Sequence, residues 1–147
     1  MPKKYSFSLE SVLNYRNIIE NQKERAFSAA LYDYQLEQKR LTELKESYVS
    51  AMKKFQELEQ VTFSSGNYFE FLNYIKRIEK KIANQKIRIA TAHEILENKR
   101  NELIKATRDR KVLERLKDIG KENYLKEMDR LEQIFLDEIA VIRHSKL

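Results

Sequence analysis

The stretch YFEFLNYIKRIEKKIANQKIRIATAHEILENKRNEL, Tyr68 to Leu103, decides the fold. Tyr68, Ile75, Ile82, Ile89, Leu96 and Leu103 recur at every seventh residue. Phe71, Ile78, Gln85, Ala92 and Lys99, followed by Ala106 and Leu113, hold the position three further on. Two interleaved sets at spacings of three and four form the a/d seam of a heptad coiled coil. Gln85 is the polar interruption in that seam, of the kind that fixes register.

Upstream, Ser64-Ser65-Gly66-Asn67 is the one convincing turn, and Asn67 with Glu70 three residues later resembles a capping box that opens this helix. No breaker appears from there back to Ser8, whose hydroxyl can cap a first helix with Glu10 in its first turn. That helix carries Leu41, Leu44, Tyr48, Ala51, Phe55 and Leu58 as a heptad seam, and Leu9, Val12, Ile19, Ala26 and Ala30 as a second. The two seams do not share a register. Stepping through 26, 30, 34, 37 and 41 covers fifteen residues in four turns, which relaxes the left-handed twist locally. The expectation is all-α: helices at about 8–61 and about 68–143, a turn at about 62–67, and a single coiled-coil domain over 1–147. A loop this short makes the helices antiparallel.

With Val61 opposite Tyr68, Leu9 falls near Gly120. The second helix then continues for roughly 27 residues, or roughly 40 Å, without a partner. That overhang carries Leu125, Met128, Leu131, Phe135, Ile139 and Ile142 three or four apart, one stripe of a helix. Gly120 marks a bend or fray, since glycine in a helix costs about 1 kcal/mol relative to alanine. Either the overhang folds back there into a short bundle, or its stripe, too large to leave in water, awaits a partner.

Composition narrows the rest. Two glycines, one proline and 35% charged residues suit long helices rather than a thick core. Without cysteine there is neither a disulfide framework nor a thiolate metal site. No segment has the length to span a membrane, and no signal peptide is evident, so a cytoplasmic protein is expected. His93 and His144 belong to no metal-ligand pattern, Gly120-Lys121 is no phosphate loop, and Asp137 and Glu138 diverge by about 100° on a helix. A two-helix coil has no walled pocket, so no enzyme, cofactor or metal is expected. Residues 76–121 hold fifteen basic and seven acidic side chains, a positive field on one stretch of helix.

Phe7, Leu9, Val12, Leu13 and Arg16 near one terminus, with Leu113, Glu114, Leu116, Lys117, Tyr124, Leu136, Asp137, Glu138, Ala140 and Arg143 towards the other, frame an antiparallel hairpin. In this pattern, which covers nearly the whole chain, the sequence resembles the flagellar type III export protein family FliJ. The resemblance implies a central stalk whose two-terminus end enters a hexameric flagellar export ATPase and promotes its assembly and activity. The implied ATPase-binding set is Leu9, Val12, Leu13, Arg16, Leu113, Leu116, Leu131, Phe135, Asp137, Glu138 and Arg143. It also implies contact with a membrane-embedded export gate protein through Tyr74, Ile78, Lys81 and Gln85, which would need exposure along one stripe, and with export chaperones. The location implied is the cytoplasmic face of the cell membrane at the flagellar base.

Two other classes fit the residues. A generic coiled-coil adaptor would dock its overhang into another helical bundle. An RNA-contacting hairpin would use the basic stretch, although its isoleucines at 75, 78, 82 and 89 belong to the seam and nucleic acid is not the expected partner. Isolated chains could also self-associate through their overhangs.

Overall fold

The computed structural model describes residues 4–59 and 65–146. It consists of two α-helices, α1 (Glu10–Glu59) and α2 (Ser65–Ser145), with no strand among the described residues. They pack antiparallel as a helical hairpin. Glu37 meets Gln85, Lys23 meets Glu102, and Glu10 meets Lys117, so each step back along α1 is a step forward along α2. The described chain divides into two compact units, one formed by Lys23–Leu103 and the other by the segment up to Gln22 with Ile104 onward.

In the Lys23–Leu103 unit the expected seam is the core. Ile75, Ile78 and Leu96 of α2 are buried, as are Ala30 and Ala51 of α1. Ala51, Ile75 and Ile78 form a cluster onto which Tyr48, Met52, Phe71 and Ile82 pack. Phe55 stacks on Phe71 with ring centroids 4.0 Å apart. The ends of the two expected seams, Leu58 and Tyr68, are exposed. No side chain among the described residues is completely buried, as follows when a seam has helix on one side and water on both flanks.

The register of α1 differs from the expectation. Leu13 is buried whereas Leu9 and Val12 are exposed. Counting from Leu13, positions 20, 27, 34, 41, 48 and 55 follow at sevens, and positions 16, 23, 30, 37, 44 and 51 fill the partner set. One heptad register therefore runs through α1, and no fifteen-residue relaxation is needed. The sequence hid it because Arg16, Glu20, Lys23 and Glu37 occupy seam positions. Each finds a polar partner across the coil: Arg16 with Asp109 at 3.3 Å, Lys23 with Glu102 at 3.3 Å, Glu20 with Arg110, and Glu37 with Gln85.

Three expectations about helix ends are corrected. α2 is already helical at Ser65, so Asn67 lies inside its first turn and does not cap it; residues 60–64 of the expected turn lie outside the described residues. At the other end Leu9 rather than Ser8 stands at the helix boundary. Its carbonyl accepts the first helical bond, from the Leu13 amide at 2.9 Å, and the Glu10 amide donates to the Phe7 carbonyl at 3.1 Å.

Gly120 marks no fray, since α2 runs helically through it to Ser145 and does not fold back. A Cβ at Gly120 would run into the Tyr5 hydroxyl oxygen. Glycine is there for the close approach of the N-terminal segment, whose Tyr5 ring also rests against Tyr124 with centroids 5.7 Å apart. Gly120→Ala is accordingly expected to leave helicity unchanged, as alanine is the better helix former by about 1 kcal/mol. It should displace the Tyr5 ring, and loss of the Tyr5–Tyr124 ring contact, read by nuclear Overhauser effects in an otherwise unaltered chain, is the readout.

Candidate functional site

Beyond the Tyr5 contact, α2 carries no buried residue from Lys121 to Lys146. Leu125, Leu131, Ile134, Phe135, Leu136, Val141 and Ile142 are exposed, and Met128 and Ile139 are half-buried. Lys117, Tyr124, Leu131, Phe135 and Ile142 follow one another at spacings compatible with a single face, and Lys117 and Tyr124 are the members turned towards α1 or its leading segment. The open stripe is thus the seam side of α2 continued past the end of its partner. The helix is held there by local pairs: Arg130 with Glu127, Lys126 with Glu122 at 3.6 Å, and Gln133 donating to Asp137 at 3.1 Å. Arg130 lowers the Glu127 carboxyl, first by its hydrogen bond, and is itself raised.

The expected ATPase-facing residues divide by environment. Leu131, Phe135, Asp137, Glu138 and Arg143 stand exposed on the overhang, and Leu9, Val12 and Leu116 are exposed where α1 begins beside α2. Leu113 is half-buried. Leu13, only 5% exposed, belongs to the seam, so its side chain is not part of a free surface. Arg16 is committed to Asp109. Behind this group lies a polar seam: Lys117 binds Glu10 at 2.9 Å, and Arg110 is forked between Glu20 and Glu114, the latter at 2.7 Å. The hydrogen bond to Glu20 is the main reason the Arg110 guanidinium is raised further above its ordinary value.

The expected export-gate stripe does not lie on the surface as one piece. Tyr74 and Lys81 are exposed, but Ile78 is in the core cluster and Gln85 is 5% exposed. The Gln85 amide donates to the Glu37 carbonyl at 2.9 Å and to the Glu37 carboxylate, which fits the register-fixing role of a polar seam residue. The coil is closed where the stripe needed it open, because Ile78 and Gln85 are spaced three and seven from Ile75 and Ile78 and so share their face.

A further ion pair gives the coil a pH dependence. Glu102 accepts from Lys23, whose hydrogen bond is the main cause of a carboxyl lowered from its usual 4.5, with Lys99 adding to it. A depressed carboxyl stabilises the folded chain at pH above its unfolded value, and that contribution is lost as pH falls through the folded one. Thermal stability is therefore expected to fall as pH is lowered below about 4.5. Lys23→Gln should flatten that slope, and a melting series from about pH 6 to about pH 3 on both chains checks it.

Among the described residues no group of His, Asp and Glu could hold a metal ion, and no helix is long and apolar enough to cross a membrane. No curated protein matches the chain significantly. Among solved structures, a Chlamydia trachomatis protein described as a YscO homologue is similar in fold, with TM-score 0.61, 23% identity, and coverage of 97% of this chain and 96% of that one. The model of the flagellar FliJ protein family matches residues 5–146, taking in both terminal elements and the whole coil between them. On that match the chain belongs to the flagellar FliJ protein family, a family associated with type III protein export.

Proposed function

We propose that this chain is a non-enzymatic central stalk of the flagellar export apparatus. The end carrying both termini enters the pore of a hexameric export ATPase and promotes its assembly and turnover. The observation that supports this reading is the open apolar stripe of α2 from Leu125 to Ile142, a seam face without a second helix. Leu131 and Phe135 seat the helix against the apolar lining of the pore. Asp137, Glu138 and Arg143 meet charged loops around it, and Leu9, Val12, Leu113 and Leu116 widen the contact where α1 begins. Leu13 and Arg16 act from behind by holding α1 in place, one through packing and one through Asp109.

Contact with the membrane-embedded export gate falls to Tyr74 and Lys81, with Ile78 and Gln85 fixing the helix face that presents them. Export chaperones are the third class of partner, and the cytoplasmic face of the membrane at the flagellar base is where these partners meet.

The test is the ATP hydrolysis rate of a cognate flagellar ATPase at concentrations where hexamers form, with the full chain and with a chain ending at Ile119. Stimulation by the full chain and its loss on truncation is the expected result. A rate unaffected by the full chain would remove the stalk role.

A further inference from the structure

The Lys23–Leu103 unit carries a second surface that the stalk role leaves unused. Phe69, Asn73, Lys76, Lys80, Ala83 and Ile87 follow one another along α2 at alternating spacings of four and three, which makes one helix stripe. All six are exposed. The stripe lies on the side of α2 away from Ile75, Ile78, Ile82 and Gln85, which face α1. Its two large apolar members stand at its ends, Phe69 at 68% and Ile87 at 66% exposure.

The charge on this stretch is one-sided. Lys76, Arg77, Lys80, Lys81, Lys86 and Arg88 make no ion pair among the described residues, in contrast to Lys99, Arg100, Arg110 and Lys117 farther along α2. Between Phe69 and Arg88 the only carboxylates are Glu70 and Glu79, and neither lies on the stripe. Arg77 borders Lys76, and Arg88 flanks one edge.

We propose that this stripe lies on the surface of an anionic lipid bilayer. Clusters of four to eight basic residues on a helix are attracted to acidic headgroups. An apolar side chain on the same face can then enter the boundary between headgroups and acyl chains, as in helices that lie in the membrane plane. From Phe69 to Ile87 the helix advances roughly 27 Å, so the two apolar anchors and the cations between them meet a flat surface along one line. A nucleic acid would engage the cations through its phosphates but leave Ile87 without a task, and Phe69 is the one aromatic ring among the six stripe residues on which a base could stack. The contact is with the bilayer itself, independent of the ATPase and of the gate protein.

Flotation of the full chain with phosphatidylcholine vesicles, with and without about 30% phosphatidylglycerol, tests it. Binding is expected only to the anionic vesicles and should weaken between about 50 and about 500 mM salt. The variant Lys76→Gln/Arg77→Gln/Lys80→Gln should lose about a hundred-fold in partitioning. Phe69→Ser/Ile87→Ser should also weaken binding and leave a larger fraction of it salt-sensitive. Phe135→Asp, on the overhang, should bind like the unaltered chain, and circular dichroism on each variant establishes that the coil is intact. Equal binding to neutral vesicles overturns the proposal, as does no binding, or a triple variant indistinguishable from the original. Loss confined to Phe135→Asp overturns it by assigning the contact to the overhang. Tighter binding to a single-stranded RNA than to anionic vesicles, lost in the same triple variant, overturns it in favour of phosphate recognition on nucleic acid.

Discussion

Replacing Phe135 by aspartate is expected to remove stimulation of the cognate ATPase while leaving the unfolding of the chain almost unchanged. Phe135 is 60% exposed, so little packing is lost within the chain itself. In the proposed complex the same ring is covered by the ATPase pore, where burial of a large apolar side chain is worth about 1.5–3 kcal/mol. Truncation to alanine forfeits that term and should raise the half-saturating concentration by roughly ten- to a hundred-fold. Aspartate adds the cost of desolvating an unpaired charge, which puts stimulation beyond practical reach. The comparison of Phe135→Ala with Phe135→Asp separates loss of a contact from the addition of a repulsive one. Unaltered stimulation by both would mean that the stripe is not the seat in the ring, and the assignment of Leu131 would fall with it.

Leu96→Ala carries the largest expected effect on stability. Leu96 is 3% exposed, the most buried apolar residue among the described residues, and it sits in the seam. Leucine-to-alanine changes in cores cost about 2–5 kcal/mol, the spread depending on how far the site collapses. A two-helix seam has water on both flanks and can close partly, which points to the lower half of that range, about 2–3 kcal/mol. Val49→Ala, on an exposed face of α1, is the matched control and should stay within about 0.5 kcal/mol. Urea unfolding of both chains decides it. Equal midpoints would mean that the seam contributes far less than its burial implies.

The fold was legible where the seam is apolar. Ile75, Ile82, Ile89 and Leu96 announce the register of α2 by themselves, and the buried residues of the Lys23–Leu103 unit follow it. Legibility failed in the first half of α1, where Arg16, Glu20, Lys23 and Glu37 stand at seam positions. Hydrophobic periodicity cannot detect a seam built from opposite charges. The pairs become visible only when α1 and α2 are laid side by side. Gly120 illustrates the same limit. Its sequence context suggests a break, whereas the reason for glycine is the distant Tyr5 hydroxyl. For the candidate site, the overhang stripe could be read from spacing alone because nothing in the chain covers it. The burial of Ile78 and Gln85 was also implicit in their heptad positions, and it limits what the gate-facing stripe can present.

The charged seam positions of α1 have a consequence for how many alignments the two helices can adopt. Identical apolar layers repeated every seven residues are poor at telling one alignment from the next, because a slide by a whole heptad lays isoleucine on leucine again. No slide by a heptad keeps Glu10, Arg16, Glu20 and Lys23 all paired: one direction gives Glu10 Arg110 and Arg16 Glu102, the other gives Glu20 Lys117 and Lys23 Asp109, and each leaves the remaining two against uncharged residues. Displaced one way, Glu20 would leave Arg110 for Leu103, and Lys23 would leave Glu102 for Ile95. Displaced the other way, Lys23 would meet Asp109, but Glu10 would exchange Lys117 for Tyr124, and Arg16 would exchange Asp109 for Leu116. Each slide leaves charges beside uncharged side chains; Glu10, Arg16 and Lys23 are more than a third exposed, so solvent screens each loss and the preference is the sum over the pairs. The pairs work as the teeth of a ratchet. They fix how much of α2 projects past α1, and so set the reach of the free helix to within a single heptad.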